Sequence, residues 1–89
     1  MTRREQIAKK ISAKRRGIVV KLSDHIKQSK STKGKKVTYQ MIADVVGCGK
    51  NHVAHGFRVD KTMTDKMLVE TLYAVEYITG ENIDHILEG

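Results

Sequence analysis

The sequence predicts an all-α domain of five helices, on three observations. The 89-residue chain has no proline, so nothing in it forbids a helix interior. No segment alternates apolar and polar residues for long, as a half-buried strand would. Apolar residues instead recur at helical intervals, as in Ile7, Ile11, Ile18, Leu22 and Ile26. A chain of this length forms one domain with a modest core, and a partner subunit could complete it. Its longest apolar runs, such as Gly17-Ile18-Val19-Val20, fall far short of the roughly 20 residues a membrane span needs.

Each element has its own reason. Residues 4–28 read as helical, with Val19 beside the isoleucine stripe. Gly17 weakens that helix at its middle, by about 1 kcal/mol relative to Ala. Residues 1–16 are therefore read as a basic N-terminal arm or helix extension, and 17–89 as the domain proper. A polar basic loop follows over residues 29–36. Thr38 is a good N-cap, with Val37 placed to clasp Ile42, so a second helix is expected from Tyr39 to Val46. Gly47 suits the conformation just past a helix end. With Gly49 as the next cap, Cys48 and Val53 repeat the clasp, and a third helix is expected to reach Phe57 or Arg58. Thr62-Met63-Thr64-Asp65 resembles a capping box before a fourth helix over about 64–79, with Leu68, Leu72, Val75 and Ile78 on one face. Gly80 stops it, Asn82 caps, and Ile83, Ile86 and Leu87 line a short fifth helix.

The net charge of +7 is unevenly spread. Residues 1–36 hold 13 of the 17 Lys and Arg against Glu5 and Asp24, a balance of +11, while residues 37–89 hold 4 against 8 acids, a balance of −4. A basic half on an acidic body is an electrostatic footprint for a polyanion such as duplex DNA. The bland alternative is a solvated lysine-rich face. A membrane surface fits less well, because residues 1–16 offer only Ile7, Ile11 and alanines as an apolar face.

Two short helices joined by a tight glycine turn form a helix-turn-helix. Six positions agree in register here: Ile42, Ala43, Val46, Gly47, Val53 and Phe57. Ala43 is small, as close approach of the second helix requires, and Val53 plugs that helix back onto the first.

The stretch from Ile42 to Phe57, with its Ala43-Asp44 pair, Gly47-Cys48-Gly49 turn, Val53 and Phe57, resembles the Cro and lambda-repressor-like DNA-binding domains of phage and bacterial regulators. The close resemblance covers roughly residues 38–64, and Thr79-Gly80-Glu81-Asn82-Ile83-Asp84 resembles that family's link into its fifth helix. The fourth helix is about one turn longer than is usual there, and the loop before the second is more basic. With no C-terminal oligomerisation or self-cleavage domain in these residues, inducible cleavage is not expected.

The resemblance implies that the second helix of the motif enters a major groove with its N-terminal residues leading. Lys50, Asn51, Ala54, His55 and Lys61 would then read bases: Lys can donate to guanine, Asn can pair with adenine, and an Ala methyl can meet a thymine methyl. Tyr39, His52 and Arg58 would lie against phosphates. The basic N-terminus (Arg3, Arg4, Lys9, Lys10, Lys14, Arg15 and Arg16) parallels the family's DNA-wrapping arm, and Lys33, Lys35 and Lys36 join the phosphate-binding set. A homodimer on a palindromic operator is expected, with its interface at Tyr73, Tyr77, Ile83, Ile86 and Leu87.

Other chemistry is disfavoured. His52 and His55 stand at i,i+3 without the further ligands a metal site needs, and are better read as exposed residues of the motif's second helix. His25 and His85 are read as surface residues. Gly47-Cys48-Gly49-Lys50 lacks the spacing and the preceding strand of a phosphate loop. No nucleophile-base arrangement is present, so no enzyme, metal or cofactor is expected. Cys48, the one cysteine, cannot form an internal disulfide, which points to a reducing compartment. No apolar signal segment opens the chain, and the expected location is the bacterial cytoplasm or nucleoid. The expected function is a sequence-specific duplex-DNA-binding transcriptional regulator. Two alternatives are a low-specificity architectural DNA-binding protein and a protein-interaction module such as an antitoxin. RNA fits poorly, because single-strand recognition relies on stacking aromatics and only Tyr39, Phe57, Tyr73 and Tyr77 are available.

Overall fold

The computed structural model describes residues 2–11, 15–58 and 63–88, and among them six helices and no strand are found. The helices are α1 (Arg3–Ile11), α2 (Arg15–Gln28), α3 (Tyr39–Val46), α4 (Lys50–Arg58), α5 (Asp65–Thr79) and α6 (Asp84–Glu88). The class is all-α, but the expected count of five is corrected to six. Of the stretch read as one helix over 4–28, residues up to Ile11 lie in α1 and those from Arg15 in α2, with Gly17 inside α2.

Local capping chemistry explains most boundaries. The Thr2 hydroxyl accepts from the Glu5 N–H at 3.2 Å and donates to its carboxylate at 3.1 Å, fixing the start of α1. Thr38 caps α3 by accepting from the Met41 N–H at 3.2 Å, and Thr64 caps α5 by accepting from the Met67 N–H at 3.1 Å. Gly47 closes α3 at φ 88°, a left-handed conformation that a side chain would strain. Its N–H and that of Cys48 both donate to the Ala43 carbonyl, at 2.8 and 3.1 Å. Asn82 holds the entry to α6 by accepting from the Asp84 N–H at 2.7 Å.

Helix α5 is the hub, packed against by α1, α2 and α3. It buries Leu68, Val69, Leu72, Ala74, Val75 and Ile78. Thr71 and Thr79, also buried, donate their hydroxyls to the carbonyls of Met67 and Val75, each at 2.8 Å, so neither leaves a polar group unsatisfied. Helix α1 lies across α5 and α6 with Ile7 fully buried and Ile11 nearly so. Residues 3–11 therefore sit on the body of the protein, with two isoleucines in its core, rather than projecting as an arm.

Helices α3 and α4 pack on each other around Ile42, Ala43 and Val53, all fully buried. Val37 is buried ahead of α3, where the expected clasp with Ile42 places it. Gly56 lets the chain return closely past α4: a Cβ there would stand 2.7 Å from the Met63 methyl.

The segment between α2 and α3 is more ordered than an irregular loop. Lys30 and Lys36 form an isolated antiparallel bridge. It is framed by the Ser31 N–H donating to the Lys35 carbonyl at 2.7 Å and the Val37 N–H donating to the Ser29 carbonyl at 3.2 Å. A turn at Thr32-Lys33 closes this short hairpin, residues 29–37. The Thr32 N–H donates to the Ile78 carbonyl at 3.0 Å, fastening the tip to the end of α5.

Candidate nucleic-acid interface

Helix α4 buries one side and leaves the other open. Val53 and Gly56 face inward, while Lys50, Asn51, His52, His55 and Arg58 are exposed and Ala54 is half-buried. The exposed residues start at the helix N-terminus, where free backbone N–H groups and the helix dipole favour an anion. Tyr39, at the start of α3, stacks on Phe57 near the end of α4, with ring centroids 5.4 Å apart and planes at 11°. That stack holds the beginning of α3 beside the C-terminal turn of α4. Lys33, Lys35 and Lys36 are exposed on the hairpin, which leads into α3 two residues later. Lys61 and Lys14 lie outside the described residues. Arg15 and Arg16 begin α2, and their side chains are likewise outside the description.

The N-terminal cations are placed differently from the expectation. Arg3 forms a bidentate pair with Glu76, Nε to Oε1 at 2.8 Å and Nη2 to Oε2 at 2.7 Å, and its Nη2 also reaches Asp84 at 2.9 Å. This guanidinium holds the Glu76 and Asp84 carboxyls below their ordinary range, chiefly through those hydrogen bonds. Glu76 Oε2 additionally accepts from the Ile83 N–H at 3.2 Å, so the clamp joins α1, α5 and the entry to α6. Arg4 lies 3.1 Å from the Glu70 carboxylate and 4.1 Å above the Tyr73 ring. Lys10 stands 3.5 Å from Asp84, while Lys9 is exposed. A phosphate at Arg3 would have to displace two carboxylates. Arg3, Arg4 and Lys10 are thus committed to the acidic side of α5 and α6, a correction to their assignment as a phosphate-tracking set. Their partners, Glu70, Glu76 and Asp84, are not indicated by any local sequence pattern. Their only trace in the sequence is the excess of acids in the second half.

The expected dimer interface is corrected as well. Ile83, Ile86 and Leu87 are 0, 2 and 4 % exposed, so they belong to this chain's own core. Tyr73 is half-buried beneath Arg4. Tyr77, 69 % exposed, is the one member of that set still open to solvent.

His25 is half-buried rather than a surface residue. It packs edge-on against His85 at 5.2 Å, with its Nε2 buried and lacking a hydrogen-bond partner. Burial, and secondarily the neighbouring His85, push its pKa below the ordinary histidine value. Among the described residues no group of three or more His, Cys, Asp or Glu is arranged to hold a metal ion, and no helix is long and apolar enough to cross a membrane.

No family model matches the chain, and no curated protein or solved structure is significantly similar to it.

Proposed function

We propose that the protein is a sequence-specific duplex-DNA-binding regulator whose α3 and α4 act as a helix-turn-helix of the lambda-repressor-like kind. The supporting observation is the division of α4: Val53 and Gly56 are buried against the body, and Lys50, Asn51 and His55 are exposed. In a major groove, Lys50 would donate to guanine O6 and N7 and Asn51 would pair with adenine N6 and N7, with Ala54 against a thymine methyl. Tyr39, His52 and Arg58 would meet the flanking phosphates. These groups position, recognise and exclude, and the reading requires no catalysis and no cofactor. Repression would follow from covering a promoter.

A homodimer on a palindrome, with half-sites about 34 Å apart, remains part of the proposal. Its contact would use Tyr77 rather than the buried face of α6.

Asn51→Ala tests the reading. It is expected to cost about 1–3 kcal/mol of binding and to relax preference at one base pair. Uniform weakening on all duplexes would remove Asn51 from the base-reading set.

A further inference from the structure

Lys30 and Lys36 are directly opposed in the hairpin, and the two flanking backbone hydrogen bonds make theirs a non-hydrogen-bonded antiparallel pair. Pairs of this kind bring the two Cα atoms to about 4.5 Å and set both side chains on the same face of the ribbon. Like charges so placed oppose the fold. Both side chains are exposed, and among the described residues no carboxylate forms an ion pair with either of them or with Lys33 or Lys35. The hairpin is nevertheless held firmly, by its own bridge, by Ser31 accepting from the Lys33 and Lys35 N–H groups at 3.3 Å each, and by Thr32 on the Ile78 carbonyl. Four cations are therefore fixed in a small area at some cost to stability, with no counter-charge among the described residues.

We propose that this hairpin is a backbone clamp for duplex DNA. Lys30 and Lys36 would grip adjacent phosphate oxygens as a pair, with Lys33 and Lys35 extending the contact independently of sequence. The missing counter-charge is what the phosphates supply. Position favours a duplex over a free anion: Lys36 lies three residues before Tyr39, which stacks on Phe57 of α4. A nucleic-acid strand passing Tyr39 would thus continue toward the hairpin. The inference rests on the proposed function for the identity of the polyanion, and adds an element, with Lys30, that the α4 reading does not require.

The test uses the full chain and the Lys30→Gln/Lys36→Gln variant. Affinity for a duplex of about two helical turns is measured across a salt series, and Tm at low salt. Removing two phosphate contacts should reduce the slope of log K against log salt by about 1.8. Removing the opposed charges should leave Tm unchanged or higher, so the loss of binding is not a loss of stability. The Lys30→Arg/Lys36→Arg variant should restore the slope. An unchanged slope overturns the clamp, as does a lower Tm, which would make the pair a device of the fold. If the wild-type chain binds no duplex, both readings fall. If it binds without sequence preference and the variant still loses slope, the clamp stands and the reading of α4 falls.

Discussion

In α1, Arg3, Arg4 and Lys10 end on Glu76, Glu70 and Asp84, whereas Lys30, Lys33, Lys35 and Lys36 of the hairpin form no ion pair with a carboxylate among the described residues. Both segments belong to the basic first part of the chain, and by charge count alone α1 is as good a polyanion site as the hairpin. What separates them is the element packed beneath. Helix α1 buries Ile7 and Ile11 against α5 and α6, and that docking brings its cations onto an acidic surface. The hairpin is tied to α5 by one backbone hydrogen bond and projects its lysines outward. A positive charge is available to a ligand only where folding has not already paired it.

The largest expected effect tests α1 as part of the fold. Ile7→Ala should cost about 2–5 kcal/mol of stability, read by denaturant unfolding. A loss of a few tenths would mean that α1 is a detachable arm after all. Ile86→Glu should be at least as damaging, since it buries a charge in the core. A folded, monomeric variant with weaker DNA binding would instead restore α6 as an interface.

Arg3→Ala is expected to cost about 1 kcal/mol, because its pairs are strong in geometry but partly screened. Its pH signature is more specific. Glu76 and Asp84 titrate below their ordinary values in the folded chain, so the stability they contribute is present at neutral pH. It is lost as pH falls below the ordinary carboxylate range and through their depressed values. In Arg3→Ala that acid loss should shrink. His25, also depressed, should remove stability earlier, as pH falls below about 6.5 where the unfolded chain takes up a proton more readily. Thermal melts of the wild type and Arg3→Ala between neutral and acid pH would separate the two. Identical acid limbs in both proteins would contradict the clamp.

Arg4→Gln should have the smallest effect. It should change stability by less than about 1 kcal/mol and leave the salt slope of duplex binding unchanged. A slope reduced by about 0.9 would mean that Arg4 leaves Glu70 for a phosphate, and would erase the contrast between the two segments.

What could be read in the sequence follows how local each cause is. Thr38, Gly47, Gly80 and Asn82 act on groups within a few residues, and the boundaries of α3 and the end of α5 stand where those residues indicate, whereas the cap of α5 is Thr64 and not the first position of the expected Thr62–Asp65 box. The apolar positions of α4 likewise mark its inner side. The Arg3 clamp could not be seen, because its partners are 73 and 81 residues away and nothing in α1 names them. The apolar stripe of Ile83, Ile86 and Leu87 says that a face is buried but not by what, and this chain's own helices cover it. The hairpin was hidden for a different reason. Its strands are too short for any alternating pattern, and its lysines read as loop residues.

Selection of bound duplexes from a random library at about 150 mM salt, where exposed charges are well screened, tests the central claim most directly. Enrichment of a defined motif by the wild-type chain is expected, with the preference relaxed at one position in Asn51→Ala. Binding without enrichment, or no binding, would contradict the assignment of α4 as a reader of sequence.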